Sequence, residues 1–364
     1  MPQSPSAPQQ AAGHLLRELH AAPGDRAFVR TVLLAWLGLS AAAAVVALLL
    51  DPLGTFGTGL APPLLWRDRD EKAEAFLKYE PKPETVVVGS SHVMKLRPAC
   101  LTELTGMRAF NFGVSAARAE DYLAVLRFVE ANGRGTLKRL LIGVDPDAFN
   151  GSEDMGRLLL ASRHLRQYAP LEAPSRAAAL GPDLLGAQVA LASWRSARGL
   201  LEGASISRLK AFDPDGFIRY LRWESEARAG TLPLDDNIRA SADEFRSRYR
   251  SFSILDPVRV ALFRELLGEA HTTGVEVDAY IPPVHPKVLR LLIPTPSFSF
   301  RWNDTEALLG QLAEQGLLRY HDLKFLRRFG GDPREFFDGE HMTEVNTRRL
   351  LLAMHGRDEG CALQ

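Results

Sequence analysis

Cysteine is nearly absent from this chain. Its two cysteines, Cys100 and Cys361, lie far apart and in no CxxC or Cys/His grouping, which excludes a recognisable zinc or redox motif. An oxidising compartment would let them pair, and the sequence leaves that open. A charge excess is absent too: Lys+Arg and Asp+Glu both total 44, so there is neither a nucleic-acid footprint nor an acidic tail. Also missing are a G-x-S-x-G elbow, a Walker GK[ST], an H-E-x-x-H and an S-x-x-K with its companion motifs, which argues against the enzyme classes built on them. The glycines of residues 51–63 form no GxGxxG after a strand, so no dinucleotide site follows. No motif implies a metal, nucleotide or flavin, and no cofactor is expected. Internal repeats and low-complexity tracts do not occur after Gln10.

What is present begins with one long apolar run. Residues 32–50 read VLLAWLGLSAAAAVVALLL, 19 residues without a charge, which at ~1.5 Å rise per residue nearly matches a ~30 Å hydrocarbon core. The stretch before it is about 30 residues long and polar, and no clear A-x-A site follows, so an anchor fits better than a cleaved signal peptide. A buried core helix fits less well, because Ala and Leu occupy every face. Arg17, Arg26 and Arg30 precede the run, whereas Asp51 opens the far side and no Lys or Arg follows until Arg67. The positive-inside rule then puts the N-terminus in the cytoplasm and everything after Leu50 outside it. The expected organisation is a cytoplasmic tail over residues 1–30 and a transmembrane helix over 31–51. A Gly/Pro-rich connector over 52–80, a domain over 81–356 and a short tail over 357–364 complete it.

Within the domain, residues 84–88 (ETVVV) form a β-branched run that ends in Gly-Ser-Ser, the pattern of a buried parallel strand entering an exposed turn. Further apolar runs at 109–112, 140–144, 275–281 and 318–321 fit the same sheet. Helical patterns at 119–131 and 258–271 lie between some of them, as in a doubly wound α/β fold. Ligands in such folds sit at the carboxyl ends of the strands. Residues 151–256 break the alternation with Leu-, Ala- and Arg-rich helical stretches, read as a helical insertion that either caps the site or is purely structural.

Two short segments carry the candidate chemistry. Gly89-Ser90-Ser91-His92 presents a hydroxyl at the end of the first strand, although Gly-Ser-Ser alone is common turn chemistry. Near the other end, Asp338-Gly339-Glu340-His341 sets a carboxylate and an imidazole three residues apart, the pairing that a serine nucleophile needs for its base and for the group orienting that base. The bland alternative is a solvated helix start in which Asp338 is a cap and His341 incidental.

Taken together, a serine just after the first strand, Asn111-Phe112-Gly113 as a second motif and Asp-x-x-His near the C-terminus resemble the SGNH/GDSL hydrolase superfamily, over roughly residues 85–354. The resemblance implies a flavodoxin-like three-layer α/β/α domain with a mainly parallel sheet. It assigns Ser91, His341 and Asp338 as a catalytic triad, and the backbone N–H groups of Ser91 and Gly113 as oxyanion donors. The third motif departs from the pattern, since Gly143-Val144-Asp145 stands where Gly-x-Asn is usual, and an ionised carboxylate cannot donate a hydrogen bond. Either Asn150 or another group substitutes, or the hole has two donors, or the domain is a weak or inactive catalyst. His92, Asn111, Asp145, Asn150 and His285, the last in a Pro-rich turn expected to be exposed, are the candidate substrate contacts. An anchor with an outer domain of this type resembles bacterial inner-membrane proteins that add or remove O-acetyl groups on envelope polysaccharides. The implied activity is that of a glycan O-acyl esterase or O-acyltransferase, with the lipid bilayer and polysaccharide-assembly machinery as partners and no nucleic acid. The rival is a non-catalytic, glycan-binding or scaffold domain.

Overall fold

A computed structural model describes residues 23–50, 67–152, 156–170, 193–194, 197–198 and 210–362. Helix α1 (Pro23–Leu50) contains a stretch, Ala27–Leu50, long and apolar enough to cross a membrane. Most of its large side chains point outward: Phe28, Trp36 and Leu39 are 70%, 60% and 72% exposed. The Gly/Pro-rich segment at 51–63 lies outside the described residues, as does most of the helical pattern at 183–201.

The domain is built on five parallel strands: β1 (Thr85–Gly89), β2 (Ala109–Asn111), β3 (Arg139–Gly143), β6 (Glu276–Tyr280) and β7 (Arg319–His321). Their order across the sheet is β2-β1-β3-β6-β7, all neighbours parallel. Each of the five apolar runs singled out in the sequence is one of these strands. The order reverses between β1 and β3, and it is outside the carboxyl ends at such a switch point that open α/β sheets bind their ligands. The register pairs Gly89 with Gly143, so the two central strands end together.

Alternation along the strands divides the core into two layers. Val86, Val88, Leu140 and Ile142 face one side, among residues of α2 (Asp68–Lys78), α4 (Ala119–Asn132) and α8 (Pro257–Thr272). Val87 and Leu141 face the other, with Leu101 of α3 (Pro98–Thr105) and Leu350 and Leu351 of α11 (Glu344–Met354). Both faces of the sheet are therefore covered, which is why its central strands read as continuous rather than alternating apolar runs. Each such fully buried side chain contributes roughly 1.5–3 kcal/mol. Local signals define the helices. Asp256 accepts the N–H groups of Val258 and Arg259 and Pro257 opens α8, and Gly274, at φ +73°, ends the turn that follows it.

Three expectations need correction. The segment 67–80 is no connector, because α2 buries Ala73 and Phe76 and also charged residues: Arg69 pairs with Asp121, and Asp68 with Lys210. The domain does not end at residue 356, because Cys361 is buried and disulfide-bonded to Cys100 on α3. The insertion is not all helical. After the short α5 (Arg157–Ala161), its described part carries a hairpin of β4 (Ala211–Phe212) and β5 (Ile218–Arg219), followed by α6 (Leu221–Arg228) and α7 (Leu234–Tyr249). Two further helices, α9 (Pro286–Leu291) and α10 (Pro296–Glu314), follow α8.

The hairpin docks on the end of β2. The Asn111 N–H donates to Asp215 O at 2.9 Å, and Lys72 Nζ donates to the carbonyls of Asn111 and Gly216. A Cβ on Gly216, which sits at φ +82°, would lie 2.1 Å from Asn111 O, so only glycine permits this approach.

Candidate active site

The turn that carries Ser91 owes its shape to small residues. Gly89 ends β1 at φ +155°, where a Cβ would stand 2.9 Å from Gly143 O; on Gly143 a Cβ would stand 2.2 Å from Val93 Cγ1. Two glycines side by side thus let Val93 fold back over the strand ends. Ser90 Oγ accepts the His92 N–H at 3.2 Å and starts a single 3₁₀ turn, Ser91–Val93, with Ser91 at its first position and partly exposed. Asn111 clamps the turn from β2: its Nδ2 donates to Val93 O at 2.8 Å and Leu96 O at 2.9 Å.

His341 comes from the loop before α11. A one-bridge pairing of Phe336 with Met342 closes this loop, and within it Asp338 Oδ1 accepts the N–H groups of Glu340 and His341, each at 2.7 Å. The other oxygen, Oδ2, lies 2.7 Å from His341 Nδ1, and His341 Nε2 lies 2.8 Å from Ser91 Oγ. With Nδ1–H donated to the carboxylate, Nε2 is left to accept the seryl proton. Burial pushes the Asp338 carboxyl upward, but His341 and the two N–H groups outweigh it and hold the group below its ordinary range. The three residues marked in the sequence, 250 positions apart at the widest, therefore form one hydrogen-bonded chain.

A second chain runs beside it. His92 is 9% exposed, with Nδ1 on Asp145 Oδ1 and Nε2 3.1 Å from Glu340 Oε2. Burial disfavours a charged ring, yet the two carboxylates raise His92 well above its usual value. Arg248 of α7 completes the group, reaching Glu340 at 3.0 Å and Asp147 at 3.0 Å. Burial, only partly offset by Arg248 and Arg118, pushes Asp147 up to about 6. Since Ser91 and His92 are neighbours, as are Glu340 and His341, two adjacent contacts tie the nucleophile turn to the base loop. Aromatic rings flank the base: Tyr220 and Trp223, on the insertion, lie with centroids 5.8 Å and 5.5 Å from the His341 ring.

The remaining sequence candidates are placed as follows. The Ser91 N–H has no acceptor among the described residues, as a donor awaiting an oxyanion requires. Gly113 N–H, by contrast, donates to Asn111 Oδ1 at 2.9 Å and is taken up inside the protein. His92, Asn111 and Asp145 are buried in scaffolding roles rather than turned toward substrate. The Asn150 side chain is directed to Ser152, whose N–H it accepts at 3.0 Å. His285 is not exposed: 4% of its surface is accessible, its Nδ1 accepts Lys287 N–H and its Nε2 is 3.0 Å from Pro333 O. Its own N–H donates to Gly339 O, so it braces the base loop. Sequence reasoning missed Glu340, although it lies inside the marked motif. Arg248, Tyr220 and Trp223 carry no local signal, because only the fold of the insertion brings them here. Among the described residues no group of His, Cys, Asp and Glu is arranged to hold a metal ion. No family model matches this chain, and no curated protein does.

Proposed function

We propose that this chain is a membrane-anchored serine esterase or O-acyltransferase of SGNH type, acting outside the cytoplasm on acyl esters of envelope or exopolysaccharide glycans. The observation that carries the reading is the unbroken contact series Ser91 Oγ, His341, Asp338 at 2.8 and 2.7 Å, in an orientation that suits nucleophilic acyl transfer. His341 takes the proton as Ser91 Oγ attacks the ester carbonyl. The Ser91 N–H stabilises the developing oxyanion. His341 then passes its proton to the departing alcohol, leaving an acyl-serine that water or a second hydroxyl resolves. The apolar helix, the arginines before it and the Cys100–Cys361 pair support a bacterial inner-membrane anchor with the domain on the oxidising side.

A second reading, a non-catalytic glycan-binding or scaffold domain of a polysaccharide-assembly complex, is favoured by the oxyanion site. Asp145 is acid where an amide would donate, and Gly113 N–H is occupied. Losing one such donor typically lowers kcat by about 10²–10³, so a catalyst built this way is expected to be slow.

Covalent labelling decides between them. The full chain in detergent, treated with a fluorophosphonate probe, is expected to be modified on Ser91 in peptide mass spectra, and to release p-nitrophenol from p-nitrophenyl acetate. Ser91→Ala is expected to lose both. Equal esterase rates in the two proteins, or no label on a folded sample, point to the scaffold reading.

A further inference from the structure

Tyr220 and Trp223 lie beside the His341 ring without taking part in proton transfer, and both pack against Phe337. Trp223 stacks on Phe337 at 5.7 Å with 20° between the ring planes, and Tyr220 meets Trp223 at 5.0 Å and Phe337 at 5.7 Å. This is not simply core. Phe337 is buried, but Tyr220 and Trp223 are only half-buried, and α6, which carries Trp223, has no fully buried residue. The backbone on either side of the cluster is nevertheless held. Glu224 Oε1 accepts the Tyr220 N–H at 3.0 Å and Lys95 Nζ at 2.7 Å, while Asn237 Nδ2 on α7 donates to Phe337 O at 3.0 Å. A half-exposed aromatic surface fixed by part-buried polar contacts is pre-organised for a ligand.

Chemistry dictates which half of an ester meets that surface. His341 returns its proton to the oxygen of the departing alcohol, so the alcohol lies against His341 and the acyl group lies at Ser91. Rings centred 5.5–5.8 Å from the His341 ring stand beside the alcohol. Their faces are apolar, and a polar border is supplied by the Lys95–Glu224 ion pair, whose carboxylate also accepts the Tyr220 N–H and whose ammonium lies over the Phe337 ring. A sugar ring matches both features. Its C–H face carries the slight positive charge that the negative face of an aromatic ring attracts, and its hydroxyls reach the polar border. An acyl chain would instead call for an apolar slot on the Ser91 side.

We propose that Tyr220 and Trp223, backed by Phe337, form the leaving-group subsite, stacking one sugar ring of an O-acylated glycan beside His341. This rests on the acyl-transfer reading above and adds to it the residues that choose the alcohol. The insertion then sets specificity, while the sheet carries the chemistry.

The test compares two esters on the full chain in detergent: an acetylated xylo-oligosaccharide and ethyl acetate, which has no ring to stack. The ratio of their kcat/KM values is expected to fall about tenfold or more in Trp223→Ala, and to recover to within about threefold of wild type in Trp223→Phe. Calorimetric titration of Ser91→Ala with the same oligosaccharide is expected to give a binding heat that the added Trp223→Ala change removes. An unchanged ratio overturns the subsite, as does a rate that rises from acetate to octanoate esters in a Trp223-dependent way. Should wild type turn over neither ester, the acyl-transfer reading fails on its own. A Trp223-dependent binding heat would then still uphold the sugar site, and no heat would overturn it.

Discussion

At the scale of single residues, the hydrogen-bonded series of Ser91, His341 and Asp338 was legible because the acyl transfer proposed for it leaves few residue types to choose from. A seryl nucleophile needs an imidazole and a carboxylate, and Asp338 and His341 stand three apart where one turn joins them. The clasp beside it was not legible, since the partners of His92 lie 53 and 248 positions away and Asp145 reads in sequence only as a departure from the expected Asn. Its electrostatics make a prediction. Burial alone would raise Glu340, but His92 and Arg248 prevail and hold it at about 2, below its ordinary 4.5. The stability it contributes is therefore present above pH 4.5 and lost as pH falls towards 2, about 3 kcal/mol if the whole shift is realised. His92 runs the other way. Raised well above 6.5, its contribution is complete below 6.5 and disappears only as pH climbs through the raised value. The clasp is thus intact from about pH 4.5 to beyond neutrality. Thermal unfolding midpoints of wild type are expected to drop steeply between pH 5 and pH 2.5, and Glu340→Gln is expected to flatten that drop; superimposable slopes would refute the clasp.

At the scale of elements, the five strands were legible because a parallel sheet covered on both faces leaves unbroken apolar runs such as TVVVG. The helix Asp68–Lys78 was not, because DRDEKAEAFLK looks solvated. Its charges are buried only because distant partners meet them: Asp121 for Arg69, Lys210 for Asp68, and two carbonyls for Lys72, whose burial brings its pKa down to about 7. The hairpin was equally hidden, since strands of two residues have no periodicity to detect. Yet it bears on the site, as Ile218 N–H donates to Met94 O in the segment just after the nucleophile turn. Gly216 makes that docking sterically feasible. Gly216→Ala combines a positive φ with a clash against backbone, and is expected to lower stability by about 2 kcal/mol or more. Differential scanning calorimetry and the rate of fluorophosphonate labelling measure the two consequences, a lower midpoint and slower modification of Ser91. A midpoint and labelling rate equal to wild type would mean that the hairpin does not support the turn.

At the scale of the whole molecule, the sequence announced an apolar helix long enough to cross a membrane and an α/β domain, while the order of the sheet and the link between its distant ends emerge only from the fold. Cys100 and Cys361 are 261 positions apart, so no spacing rule could pair them, and it takes α3 and the C-terminal segment meeting on one face of the sheet to bring their Cα atoms to 4.8 Å. Closing so long a loop removes much of the unfolded chain's freedom, by about 5 kcal/mol in the chain-entropy account. Such a bond persists only where thiols are not kept reduced, which ties the pair to the orientation argued from Arg17, Arg26 and Arg30. The two arguments are independent, and one experiment joins them. In intact bacterial cells expressing the chain, Cys100 and Cys361 are expected to resist alkylation until a reductant is added, and protease added outside the inner membrane of spheroplasts is expected to reach the domain. Cys100→Ser is expected to lower the unfolding midpoint of the purified protein, and dithiothreitol is expected to lower that of wild type but not of the variant. If the thiols alkylate without reductant and the protease spares the domain, the domain faces the cytoplasm, and the proposed acyl transfer would have to act on substrates on that side of the membrane.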